Sequence, residues 1–241
     1  MPTAPPAPAA RARATFALEL AARDPADSGR AWAYRVLRDN IIHLRLEPGR
    51  PVSESDVAAA LRVSHTPVRE AFIRLAGEGL LDVHAQKGTF VSRIDRDRAD
   101  EARFLRSVVE KAILREAARA FPAPLRFELS ANLELQRFCR KERSYERMFH
   151  LDNEFHRILY RGCGKERLWL HIKKFDCDLD RLRVLRLSSR LCWDDVIDGH
   201  GRIVRFVAGK SPGRADAIVE EHLTGALYEG LVRQYPGYFK S

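Results

Sequence analysis

Two side chains able to give electron pairs to a metal, Asp152 and His156, stand four residues apart in the run LDNEFHRIL. A helix turns by about 100° per residue, so these positions lie one above the other and can meet at a single point. Two more imidazoles follow, His200 in DGHGRIV and His222 in VEEHLTGAL. One carboxylate and three neutral imidazoles from three helices form a donor set suited to a divalent transition metal. The plainer reading of Asp152 and His156 is a surface ion pair or hydrogen bond. Each histidine taken singly reads as a satisfied or exposed side chain, and only the set points to a shared site.

Convergence of this kind needs helices on several sides, and the chain after Asp95 is patterned for helix almost without interruption. Apolar spacing predicts helices over 99–120, 124–141, 144–162, 166–189, 193–208 and 213–234, with breaks at FPAP, GCG and GKSPG. No strand-like segment competes with them. Helices joined by short loops pack antiparallel, and the interior of such a bundle is a customary place for a ligand or metal.

The first half reads differently. Val36, Leu37, Ile41, Ile42 and Leu44 mark a helical stripe from Trp32 to Leu46, ended by EPGR. Ser53 can cap a helix through Leu61, with Asp56 placed as in a near capping box. After RVS, Thr66 suits an N-cap and Pro67 the first helical position, where a missing N–H loses no partner. The helix that follows has the buried face Val68, Ala71, Phe72 and Leu75 and closes at Gly77 or Gly79. LLDVH and TFVSRI, joined by AQKG, alternate with the period of strands and predict a β-hairpin. Helix, helix, turn, helix and hairpin is the plan of a winged helix-turn-helix.

In that plan the start of the later helix enters the major groove, which brings Ser64, His65, Thr66 and Arg69 to base edges and phosphates. Arg69 can offer two hydrogen bonds to guanine O6 and N7, while Ser64 and Thr66 suit phosphate contacts. The plainer alternative pairs Arg69 with Glu70 or Glu78 on a solvated face. Lys87 and Gly88 form a hairpin tip slim enough to approach a minor groove.

A chain of 241 residues with 45% hydrophobic content can build one large domain or two modest ones. The patterns divide it into a mobile tail over 1–30, rich in Ala, Pro and Arg with a short helix possible near Thr15–Ala22, a DNA-binding domain over 31–95 and an all-α domain over 96–241. The net charge of +9 does not locate the DNA-reading surface, because residues 31–95 carry nine Lys and Arg against eight Asp and Glu. Cys139, Cys163, Cys177 and Cys192 form no CxxC, which argues against a zinc ribbon or a disulfide framework and fits a reducing cytoplasm. There is no secretion signal, and nowhere do eighteen apolar residues run together, so no membrane association is expected.

The stretch SESDVAAALRVSHTPVREAFIRLAGEGLLDVHAQKGTFV resembles the N-terminal domain of GntR-family bacterial transcription regulators, with SHTPVREA matching the core of the recognition helix. His65 stands where many members carry Arg. LDNEFHRIL, DGHGRIV and EEHLTGAL, in that order, resemble the FadR-type effector domain known as FCD, in its metal-binding form. The segment GCGKER lacks the Asn-Pro often found there, and His200 follows Asp-Gly where Glu is common. The resemblance implies a mainly α fold, a winged helix-turn-helix followed by an all-α effector bundle. It implies that Asp152, His156, His200 and His222 hold one divalent transition metal per chain, zinc or nickel foremost, with two octahedral positions left for an organic carboxylate. It also implies that Arg106, in RFLRSVVEKA, clamps that carboxylate, although a surface pair with Glu110 is the simpler reading. The expected whole is a homodimer on a palindromic double-stranded operator, regulated by a small organic acid. Two alternatives stand beside it: a metal-dependent enzyme acting on a small carboxylate, although HExxH is absent, and a regulator whose metal is purely structural.

Overall fold

The computed structural model describes residues 18–24, 26–189, 193–209, 214–223 and 228–240. Helix α1 (Gly29–Ile42) starts where the Ser28 hydroxyl accepts the Ala31 amide at 3.2 Å. It ends four residues before the predicted Leu46, because Leu44 takes a φ of 59° and the Asn40 carbonyl accepts the amides of Arg45 and Leu46. Strand β1 (Pro51–Val52) was too short to register as a period. In α2 (Glu54–Leu61) the Ser53 hydroxyl accepts the Asp56 amide at 3.0 Å, as the capping pattern predicts.

Helix α3 (His65–Gly77) buries Val68, Ala71, Phe72 and Leu75, the predicted face. Its N-cap is Ser64 and not the predicted Thr66, so Pro67 sits third in the helix. The shift costs nothing in hydrogen bonds, since no amide of a first turn has an intrahelical acceptor. Strands β2 (Leu81–His84) and β3 (Gly88–Val91) form the predicted hairpin, and β1 adds to it in the order β1-β3-β2. The hairpin turns through Gln86 at φ 63° and Gly88 at φ 101°, a left-handed value that favours glycine.

The bundle opens with α4 (Arg96–Arg119), capped by Asp95, whose carboxylate accepts the amides of Asp97 and Arg98. It continues through α5 (Ala123–Glu142), α6 (Tyr145–Gly162), α7 (Glu166–Phe175), α8 (Cys177–Ser188), α9 (Trp193–Val207), α10 (Ala215–Leu223) and α11 (Tyr228–Gln234). One long helix over 166–189 is not formed: the chain breaks at Asp176, whose carboxylate is fully buried with one oxygen 4.0 Å from Arg106 Nε. That attraction is tertiary, and no glycine or proline announces it. The helix predicted over 213–234 appears as α10 and α11, with residues 213 and 224–227 outside the described set. Helix α6 packs against α4, α5, α7 and α8, which places its buried face at the centre of the bundle.

The two halves meet through α8. The fully buried Arg181 donates to the Ser92 carbonyl at 2.7 Å and pairs with Asp178, which in turn accepts the Asp95 amide at 3.1 Å. Of the predicted tail, residues 1–17 lie outside the described residues. Residues 18–22 form no helix, because Asn40 exchanges two hydrogen bonds of 2.9 Å with the Glu19 main chain and Trp32 Nε1 donates to the Ala21 carbonyl at 3.0 Å. Cys139, Cys163 and Cys177 are buried free thiols, and Cys192 lies outside the described residues. Among the described residues no helix is long and apolar enough to cross a membrane.

Leu75 is fully buried on α3, whereas its neighbour Ile73 is 68% exposed. Leu75→Ala is expected to lower unfolding free energy in urea by about 2–5 kcal/mol, and Ile73→Ala to change it by less than about 0.5 kcal/mol.

Candidate metal centre and DNA-reading face

Asp152 and His156 project from the buried face of α6, His200 from α9 and His222 from α10. Each offers one ligand atom, and the four atoms all lie within 4.8 Å of one another. His200 Nε2 is 3.4 Å from Asp152 Oδ1, and His222 Nε2 is 3.3 Å from His156 Nε2. Asp152, His156 and His200 are buried, and His222 is half-buried. The surface pairing of Asp152 with His156 does not form; both point inward.

The surroundings set which atom each ligand presents. Glu110 Oε2 lies 3.1 Å from His156 Nδ1, and Gln136 Oε1 accepts from His200 Nδ1 at 2.7 Å. A carboxylate can only accept, and its charge beside His156 favours the ring proton on Nδ1, although the contact lacks hydrogen-bond geometry. The ring planes are held as well, with Phe155 stacked on His200 at 3.9 Å and Trp169 on His156 at 6.0 Å between centroids. Burial first, and the neighbouring imidazoles after it, keep His200 and His222 well below the usual histidine range, so both are neutral donors. Burial lowers His156 too, against the pull of Glu110. His200 Nε2 is buried without a hydrogen-bond partner. Three imidazoles and a carboxylate oxygen, all facing inward, fit a divalent transition-metal ion.

Charge is balanced one step out. Arg183 pairs with Asp152 Oδ2, which leaves Oδ1 toward the histidines, and also donates to Asn153 at 3.0 Å and to Asp180 at 2.8 Å. Arg106 is 1% exposed and donates through Nε to Glu110 at 2.8 Å. The pair with Glu110 therefore forms, in the interior and not at the surface, and the Arg106 guanidinium lies behind His156. Burial opposes the charge on Glu110, but Arg106 and His156 outweigh it and hold the carboxyl far below its usual range. A cleft of about 330 Å³ leads to His222 and is lined also by Arg186, Arg202, Asp195, Asp198 and Glu221. Gln136 was not singled out by the sequence, and Glu110 was named only as a surface partner of Arg106. The one-turn step from Arg106 to Glu110 was visible, but nothing marked Gln136 as facing α9.

His222 occupies its place because residue 199 is glycine. A Cβ on Gly199 would stand 2.5 Å from His222 Nδ1, nearer than real contacts allow. His150 and His171 are exposed and take no part.

On the other half, Ser64, His65, Thr66 and Arg69 are all exposed at the start of α3, and Lys87 and Gly88 are exposed at the wing tip. The pairing of Arg69 with Glu70 or Glu78 does not form: Glu70 takes Arg30, and Glu78 takes Arg74, Arg38 and the Tyr34 hydroxyl. Among the described residues Arg69 and Lys87 have no ion pair. Arg62, exposed in the α2–α3 turn at φ 54°, adds a further cation that the sequence reading passed over.

A winged helix-turn-helix with its cations outward, joined to a helical bundle, defines a DNA-binding transcription regulator. The chain belongs to the GntR family of bacterial regulatory proteins, matched over residues 31–91, with an FCD domain matched over residues 101–225. It is 34% identical to the HTH-type transcriptional repressor RspR of Escherichia coli K12 over 152 residues, 63% of this chain and 67% of that one. It is 35% identical over 200 residues to an HTH-type transcriptional regulator from an unstable DNA locus of Streptomyces ambofaciens, 83% of this chain and 84% of that one. The solved structure of E. coli McbR/YncC shares the fold with a TM-score of 0.71 at 18% identity, covering 88% of this chain and 99% of that one. These relatives are regulators, so the enzyme alternative is set aside. GntR-family regulators bind DNA operators.

Gly199→Ala is expected to leave helical content unchanged by circular dichroism while displacing the His222 ring. The readout is a shift of the His222 imidazole resonances in the metal-free protein; unmoved resonances would mean that α9 yields instead.

Proposed function

We propose that the chain is a homodimeric regulator whose grip on a palindromic operator is set by a small organic acid bound at a metal ion in the bundle. The observation that carries this reading is the inward convergence of Asp152 Oδ1 and the histidine nitrogens, with His200 Nε2 buried and unpartnered. When bound, a zinc or nickel ion would supply positive charge and open positions for a carboxylate. His222, the ligand nearest solvent, faces the cleft through which an acid would enter, and Arg186 and Arg202 line that route. Arg106 supports Glu110 and thereby His156, so its part in effector binding is indirect.

Helix α8 gives the site a physical path to the DNA-binding half. Arg183 on this helix holds Asp152 and Asn153, and two residues away Arg181 holds Ser92, just beyond β3. A ligand that favours one position of α8 changes the seat of the wing. A coupling of about 1–3 kcal/mol corresponds to a roughly 5- to 150-fold change in DNA affinity. In a homodimer, two α3 helices would meet successive major grooves about 34 Å apart.

Elemental analysis of native protein is expected to find one metal per chain and a sharp loss in Asp152→Ala. His222→Ala is expected to stay folded and keep operator binding while losing its response to a panel of small carboxylic acids. If His222→Ala unfolds, the metal is structural and the sensing role fails. Arg69→Ala is expected to weaken operator binding by about 1–3 kcal/mol in a titrated gel shift, and an unchanged shift removes Arg69 from the readout.

A further inference from the structure

Helix α5 contributes no ligand to the cluster, yet it buries two amides, Asn132 and Gln136, against α6 and α9, where leucines would cost less to bury. The two are one turn apart and joined: Gln136 Nε2 donates to Asn132 Oδ1 at 2.7 Å, and Asn132 Nδ2 donates to the Leu151 carbonyl at 3.1 Å. At the other end Gln136 Oε1 meets His200 Nδ1 at 2.7 Å. The direction of the whole chain is dictated from one end. A main-chain carbonyl can only accept, so Asn132 must turn its NH₂ to Leu151 and its oxygen to Gln136. Gln136 must then spend its NH₂ on Asn132, which leaves its oxygen for the imidazole. An oxygen there requires the His200 proton on Nδ1.

We propose that Gln136 is a positioning residue for the metal centre: through Asn132 it reads the main chain of α6 beside Asp152 and holds His200 with its Nε2 lone pair toward the other ligands. The inference rests on the metal reading for its purpose but not for its geometry. Two ligands on different helices, Asp152 and His200, are thereby set by one hydrogen-bonded chain that begins and ends within the site. Every nitrogen and oxygen of the two amides has a hydrogen-bond partner, and the ring is left one tautomer. Without an acceptor at position 136, the ring is free to put its proton on Nε2, the atom a metal needs bare.

The test uses the full-length protein and two readouts. Long-range ¹H–¹⁵N spectra of the metal-free parent are expected to show His200 protonated on Nδ1; a proton on Nε2 would overturn the proposal whatever the variants do. In Gln136→Met, similar in volume but without the acceptor, the proton is expected to move to Nε2, and zinc affinity, measured by competition with a chelator, to fall about 10–100-fold. Gln136→Glu, which keeps an acceptor facing Nδ1 but loses the donor to Asn132 Oδ1, is expected to restore the Nδ1 tautomer and zinc binding in a less stable protein. Zinc affinity unchanged in a folded Gln136→Met would also overturn it. A parent that shows the Nδ1 tautomer but binds no zinc would remove the metal reading while leaving the hydrogen-bonded chain intact.

Discussion

Lone pairs aimed at one another inside an apolar bundle repel, and this is the constraint around which the C-terminal half is arranged. His200 Nε2, buried and without a hydrogen-bond partner, faces Asp152 Oδ1 at 3.4 Å, with little solvent to screen the two, while His222 Nε2 and His156 Nε2 share a single proton between them at 3.3 Å. A cation removes the conflict. The surroundings do the opposite of relieving it by proton transfer: Glu110 and Gln136 draw the ring protons outward, and the absence of a side chain at Gly199 lets His222 close the set. Charges further out are paired, Arg106 with Glu110 and Arg183 with Asp152, so the cluster does not stand as an uncompensated buried charge.

The same arginines tie local chemistry to the shape of the molecule. Arg106 bonds Glu110 on its own helix and approaches Asp176, the residue at which α7 gives way to α8. From that break α8 runs past Ser92 and then past Asp152, with Arg181 and Arg183 as its two attachments. A helix held at both points by charged hydrogen bonds cannot shift at one without strain at the other. The position of the winged half and the position of Asp152 are therefore properties of a single helix.

Legibility differed sharply between the halves. The face Val68, Ala71, Phe72, Leu75, the Ser53 cap and the hairpin all followed from local period and turn chemistry, and the structure bears them out. Errors fell at two kinds of place. A local left-handed turn at Leu44 closed α1 early on the Asn40 carbonyl, and a distant partner, Arg106, meets Asp176 where a helix breaks that its sequence would have continued. Arg106 was expected to face the cavity, with a surface pair to Glu110 as the alternative; the pair forms but is buried, and spacing is blind to burial.

The sequence by itself determined the kinds of element, the order of the two halves and the identity of the four side chains that converge, Asp152, His156, His200 and His222, because periodicity, caps and a family pattern are local properties of a chain. Only the tertiary structure decided that Glu110 and Gln136 face the Nδ1 atoms of His156 and His200, that Gln136 does so from a helix contributing none of the four, and that α8 joins the cluster to the wing. Those facts depend on which atoms meet across helices tens of residues apart, and no one-dimensional pattern carries that distance.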